Sequence, residues 1–233
     1  DLENEFSFLR NNKSPSISIG YKPSKNFTKI KHKIPMLSLG NAFGEQDLEN
    51  FEKKIFNFLS LKKSSTIEYS AEPKIDGISA SIIYINGKFT KGLSRGDGIE
   101  GEDITLNLKT IKDIPNSIQA KNFPKEIDIR GEVFIENEDF KKISSKFANP
   151  RNAASGSLRQ KNPNVTSKIP LKFIAYTYGY AMNMKINNQE NFLKNLKLWG
   201  FKVNPFNKKI TGVKNLILNH ENLEKKRKEI KFD

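Results

Sequence analysis

The sequence predicts a mixed α+β chain built on antiparallel strands, and three observations carry that reading. Two runs, Ile78–Ile85 and Lys88–Ser94, flank Asn86-Gly87, the strongest short-range hairpin signal. A further run sets Ile127, Ile129, Val133 and Ile135 on one face at a period of two, with Arg130, Glu132 and Phe134 on the other. Helical stretches are interspersed among such strands without the regular alternation of a doubly wound sheet.

Taken in order, residues 1–20 read as the tail of something else: a short helical piece over 1–10, then a polar Asn11-Asn12-Lys13-Ser14-Pro15 connection. Residues 45–63 give the first clear helix, with Asp47 as its N-cap and Leu48, Phe51, Ile55, Phe58 and Leu59 along one apolar face. A strand over 66–72 leads into Pro73-Lys74-Ile75-Asp76-Gly77, and the hairpin follows. A second strand-like run covers 171–180; helices are expected at about 137–146, 189–199 (with Gly200 as the stop) and 213–228. Neither an internal repeat nor a low-complexity linker is visible.

The 233 residues suffice for one large domain or two small ones with ample core. Lys and Arg number 40 against 26 Asp and Glu, a formal charge of +14. That balance suits a polyanion, because neutralised phosphates release counterions. The Lys, Asn and Ile content of an AT-rich genome would produce part of the same charge, and both readings stay open. With no cysteine there is no disulfide, thiol nucleophile or Cys-ligated zinc in this chain. No apolar run has membrane length and no charged-then-apolar leader opens the chain, so it is expected to be soluble and cytoplasmic. On that expectation Asn26-Phe27-Thr28 and Asn164-Val165-Thr166 match the glycosylation pattern by chance.

Four segments could carry chemistry. In extended backbone Glu72, Lys74 and Asp76 share a face opposite Pro73 and Ile75. Such a triplet is a surface ion-pair ladder of little energetic consequence, or a pocket lysine that acts as a nucleophile once deprotonated. In the second case desolvation, a metal or a cationic neighbour must oppose the flanking acids. Gly96, Gly98 and Gly101 match the dinucleotide fingerprint literally, but a hairpin strand precedes them and two acids sit inside the loop, so the match is rejected. The alternative is a glycine-rich turn entering a helix at Glu102-Asp103-Ile104-Thr105, with Arg95 at its edge able to contact a ribose or phosphate. In Arg130-Gly131-Glu132 the strand glycine marks close approach by a ligand or another backbone, and Glu132 is a ligand acceptor or a satisfied structural carboxylate. The run 147–160 is poor in large apolar residues and carries Arg151 and Arg159, both able to reach phosphates from one edge. His32 and His220 are isolated and suggest no metal site; Walker and G-x-S-x-G patterns are absent.

Together these segments resemble the NAD-dependent DNA ligases of bacterial type. The signature K-x-D-G stands at Lys74-Ile75-Asp76-Gly77 with the ligase-typical Glu72 before it. R-G-D-G-x-x-G-E-D-I-T runs over 95–105, R-G-E-V-F over 130–134, and F-A-N-P-R-N-A-A-x-G-S-L-R-Q over 147–160; Pro35-Met36-Leu37-Ser38-Leu39 matches the segment before the catalytic strand. The resemblance implies a nucleotidyltransferase fold, the ATP-grasp-like ligase adenylation type, with antiparallel sheets flanked by helices. It implies that Lys74 attacks the α-phosphorus of NAD, forming lysyl-AMP and releasing nicotinamide mononucleotide, as the first step of sealing DNA nicks in replication and repair. Asp76 would hold Lys74 or metal-bound water. Glu72 would contact adenine, Arg95 and Glu132 the ribose, Ser38 and Leu39 would line the nucleotide pocket, and Tyr176 would stack on the base. Arg151 and Arg159 are candidates for phosphate and DNA contacts.

The implied cofactors are NAD and Mg²⁺ on the phosphates, with no protein-held metal site in this chain and zinc only in a downstream module. The implied partner of the expected monomer is nicked double-stranded DNA. Residues 1–13 would be the remnant of an upstream helical, nicotinamide-mononucleotide-binding domain, and 14–233 an adenylation domain lacking its C-terminal motif strands, including D-G-V-V-x-K. An ATP-dependent nucleotidyltransferase shares K-x-D-G but not the 95–105 and 147–160 blocks. A non-catalytic basic nucleic-acid-binding module is the alternative of a different class.

Overall fold

The structure, a computed structural model, describes residues 27–232. The expected upstream remnant over 1–13 and the helix over 1–10 lie outside these. The described strands are β1 (Lys29–Lys31), β2 (Glu68–Ala71), β3 (Ile78–Ile85), β4 (Lys88–Ser94), β5 (Glu100–Glu102), β6 (Glu126–Phe134), β7 (Lys172–Ala181) and β8 (Lys208–Thr211). The α-helices are α1 (Glu45–Phe58), α2 (Thr105–Leu108), α3 (Asn137–Lys141), α4 (Pro150–Leu158), α5 (Pro163–Thr166), α6 (Gln189–Leu198) and α7 (Val213–Lys225).

An antiparallel sheet in the order β4-β3-β6-β7 forms the centre, and two-stranded ribbons β1-β5 and β2-β8 flank it. The expected hairpin is present: Asn86 and Gly87 take φ of 49° and 72°, the left-handed pair that matches strand twist. Alternation along β6 sends Ile127, Ile129 and Val133 into the main core with Ile82, Tyr84, Phe173, Phe192 and Trp199. Its other face holds Asp128, Arg130 and Glu132, while Phe134 joins Ile75 and Ile174 in a separate small cluster. Gly131 reflects close approach by protein: a Cβ there would lie 2.2 Å from the Phe173 ring and 2.4 Å from the Ile174 carbonyl.

Three sequence expectations need correction. Glu102-Asp103-Ile104 does not begin a helix. Glu102 ends β5 opposite Lys29, and only the single turn α2 follows. Asp47 is not the N-cap of α1: Gly44 holds that position and Asp47 lies in the first turn, where its carboxylate accepts the Phe43 N–H at 2.8 Å. Nor is the apolar face of α1 fully covered by described residues: Leu48 and Ile55 are half-buried, but Phe58 is 88% exposed and Phe51 52%.

The run 147–160, poor in large apolar groups, folds as α4 with Asn149 accepting the Asn152 N–H and Pro150 at the first turn. Its Ala153, Ala154 and Leu158 are buried beside β6. Thr166, in the second glycosylation-like triplet, is fully buried and donates its hydroxyl to the Ser157 carbonyl at 2.7 Å. No described helix is long and apolar enough to cross a membrane.

Candidate active site

The segment after β2 is extended, with Ile75 turned into its small cluster and Lys74 and Asp76 exposed. Among the described residues none hydrogen-bonds or ion-pairs with Lys74, because both flanking acids are engaged elsewhere. Asp76 pairs with Arg151 of α4 at 2.5 Å. Glu72 accepts from Ser70 and Gln189 at 2.8 Å each and from Asn207 at 3.3 Å. The triplet is therefore not a surface ladder. Its acids are drawn sideways by neighbours, Asp76 by the cationic Arg151 and Glu72 by Gln189 and Asn207.

Glu132 faces this group from β6. Ser79, its partner across β3–β6, donates to it at 2.8 Å. Burial pushes the Glu132 carboxyl up to about 7, although the Ser79 hydrogen bond and the charges of Arg151 and Lys74 pull the other way; Asp76 reinforces the rise. Tyr176 is skipped at one of the two irregularities of the β6–β7 ladder: Arg130 pairs with Thr177 and Gly131 with Ala175. A bulge of this kind re-aims a side chain, and here it brings the phenol beside Ser79 and the Glu132 carboxylate. Burial first, then Glu132, pushes the phenol up to about 12. The charge of Arg95 acts on the same phenol, so the 95–101 turn borders this group.

That turn is built on backbone bonds. Gly98 donates to the Arg95 carbonyl at 3.0 Å, and Asp97 accepts the Ile99 and Glu100 N–H groups at 2.9 Å, which holds its carboxyl below the usual range. His32 and Met36 donate backbone N–H groups to Ile99 and Gly98, so residues 32–36 run as a strap along the turn. Buried Arg130 fastens the strap to the sheet. It is paired with Asp128 at 3.0 Å and donates to the carbonyls of Pro35, at 3.0 Å, and Ile34. The His32 ring lies 3.2 Å from the Arg95 carbonyl, and burial lowers its basicity.

Lys74, Asp76, Glu132, Arg151, Tyr176 and Arg95 are thus brought together, with Glu72 tied in through Gln189. Ser38 and Leu39 continue the strap as an exposed run, Leu39 at 75%, and no described contact brings them to the group. Arg159 lies apart: its Nε donates to the buried Glu102 carboxylate at 2.9 Å, so a structural bond already engages it. Sequence reasoning missed Ser79, Gln189, Asn207 and His32. The only local signal was the Asn188 cap, which places Gln189 at the first turn of α6. Two cavities, of about 520 and 320 Å³, lie elsewhere, around Phe232 and Lys172 and around Tyr69 and Lys194. The second borders the Gln189 and Asn207 side of Glu72. In the Lys74 group, Lys74 and Asp76 are exposed while Glu132 behind them is buried.

Comparison with known proteins gives the family. The family described as NAD-dependent DNA ligase adenylation domain matches residues 24–233. The chain is 77% identical over 233 residues to a DNA ligase of Pelagibacter ubique, covering 100% of this chain and 34% of that protein. It is 42% identical over 240 positions to a DNA ligase of Parvibaculum lavamentivorans and 41% identical over 240 to one of a Bradyrhizobium species, again covering 34% of each. The chain therefore spans about a third of the length of the curated relatives it matches. It belongs to the NAD-dependent DNA ligase adenylation domain family.

Proposed function

We propose that Lys74 is the nucleophile of an adenylation reaction in which NAD supplies AMP. The Nζ lone pair attacks the α-phosphorus, the bond to nicotinamide mononucleotide breaks, and Nζ gives up a proton as the phosphoramidate forms. The observation that carries this reading is the exposed Lys74, whose flanking acids are held by Arg151 on one side and by Gln189 and Asn207 on the other. Such an arrangement leaves the amine open to a phosphate while Arg151 adds positive charge at the place where negative charge develops.

In this reading Glu72 and Tyr176 bind adenine, Arg95 and Glu132 the ribose, and Ser38 and Leu39 close the pocket when a nucleotide orders their run. Asp76 positions Lys74 or metal-bound water. Among the described residues no three His, Asp or Glu side chains form a metal cluster. A hard cation that keeps its waters and binds through substrate phosphates and one carboxylate fits Asp76, and Mg²⁺ bound there would neutralise phosphate charge. The AMP would pass to the 5′-phosphate of a DNA nick in the cytoplasm, with Arg151 and Arg159 near the phosphates and the chain acting as a monomer. Residues 1–13 would belong to an upstream domain and 14–233 to this one.

The test is intact mass after incubation with Mg²⁺ and either NAD or ATP, with Lys74→Ala as control. An AMP-sized gain with NAD alone, abolished by the substitution, is the expected result. A gain with ATP instead assigns the chain to the ATP-dependent enzymes. No gain with either overturns self-adenylation by this chain on its own, and salt-dependent DNA binding without an adduct would then favour a nucleic-acid-binding module.

A further inference from the structure

The Glu72 carboxylate is constrained on almost every side. Its Oε1 accepts from the Ser70 hydroxyl and from Gln189 Nε2, each at 2.8 Å, and its Oε2 accepts from Asn207 Nδ2 at 3.3 Å. An ionised carboxylate offers about four lone-pair positions. Three are filled, and the one left lies on Oε2.

Gln189 Nε2 also donates to the Tyr176 carbonyl at 2.6 Å. Tyr176 is the bulged residue that no β6 residue opposes, so Gln189 supplies a donor where the ladder is interrupted. One amide nitrogen therefore joins the acceptor beside the nucleophile to the backbone of the aromatic residue. The amide itself is well placed: it opens α6 directly after Asn188, whose side chain accepts the Asn191 N–H at 2.8 Å. Asn207 approaches from the loop before β8, the strand that pairs with β2.

We infer that Gln189, with Asn207, is a positioning residue for base selection. It fixes the Glu72 carboxylate and Tyr176 relative to one another, so that the single open lone pair meets an exocyclic amino group. The inference rests on the reading that Glu72 and Tyr176 bind the purine of the nucleotide. A carboxylate can only accept, so it welcomes the amino group of adenine and opposes the 6-carbonyl of hypoxanthine. Without the clamp the carboxylate is free to rotate towards solvent, and discrimination is lost before binding of the sugar and phosphate is.

The test compares AMP and IMP binding to the chain by NMR titration, for the unsubstituted protein, Gln189→Met and Asn207→Ala. Methionine keeps the length of glutamine and removes its donor. The unsubstituted chain is expected to bind AMP about tenfold tighter than IMP, the scale of one hydrogen bond to a charged group. Gln189→Met should bring the two affinities together through loss for AMP alone, with an unchanged circular dichroism spectrum. If Gln189→Met does not fold, Asn207→Ala must show the same selective loss. A ratio unchanged in the folded variants overturns the inference while the adenine reading stands. Equal weakening of both nucleotides also overturns it, because a merely structural role would do that. Equal affinity for AMP and IMP in the unsubstituted chain, or no binding of AMP, overturns the adenine reading and this inference with it.

Discussion

At the residue scale the most consequential group is Glu132. Its carboxyl is held near 7 by burial against a field of opposing charges. A carboxyl raised above its unfolded value of 4.5 keeps its proton more tightly in the native state, so the stabilisation it allows is complete below pH 4.5 and is lost as pH rises through about 7. Replacing it with the neutral isostere in Glu132→Gln should therefore raise the relative stability progressively between pH 5 and 7.5, levelling near pH 8, by at most about 3 kcal/mol. Thermal melts of both proteins across that range check it, and a difference flat with pH would remove burial as the cause. The residues of the sequence signatures (Lys74, Asp76, Glu132, Arg151) were legible because their types and order are local. Gln189 was not, because its role arises from a bond to Glu72 across 117 positions of chain, which no local pattern records. His32 looked isolated for the same reason: the Arg95 carbonyl it meets lies 63 positions away.

At the element scale, the hairpin and the long strands β3, β4, β6 and β7 were readable because alternation and turn chemistry are both short-range. The short strands β1, β5 and β8 were not. Each has only three or four residues and exists because a distant partner completes its hydrogen bonds, Lys29 with Glu102 and Glu68 with Thr211. That pairing also explains why Glu102 sits on a strand despite a sequence that reads as a helix start. The β6–β7 pair is the element on which the site depends, and Gly131 is its tightest point. Gly131→Ala would drive a methyl group into the Phe173 ring and the Ile174 carbonyl. The expected cost is about 1–3 kcal/mol, a fall of several degrees in Tm. Since Tyr176 directly follows Ala175, the ladder partner of Gly131, nucleotide binding should weaken alongside. Calorimetric melting with a parallel AMP titration tests both, and an unchanged Tm would show that the strands can part at no cost.

At the scale of the whole molecule, the +14 charge now has a family context, and the two arginines of α4 and its C-terminal end divide the roles assigned to them together. Arg151 is 47% exposed at the side chain and pairs with the half-exposed Asp76, whereas Arg159 is 27% exposed and bonded to a carboxylate that is 1% exposed. In Arg151→Ala the affinity for nicked DNA should fall, and the dependence of log K on log salt should become shallower by about one unit, as for loss of a single phosphate contact. In Arg159→Ala the first effect should be on stability, about 2 kcal/mol from weakening the satisfaction of Glu102. Fluorescence anisotropy over a salt series, read beside urea titrations, separates the two. Equal changes in salt dependence for both variants would return Arg159 to the DNA surface.

The strap over residues 32–36 adds a consequence in time. Its path is stored in Arg130, which is held by Asp128 and donates to the carbonyls of Ile34 and Pro35 from 96 and 95 positions further along. During synthesis the early run leaves the ribosome long before its anchor exists, and domains form as units only when such partners have emerged. The Arg95 turn is seated against the same run, so that edge of the Lys74 group can assemble only after β6 has been made.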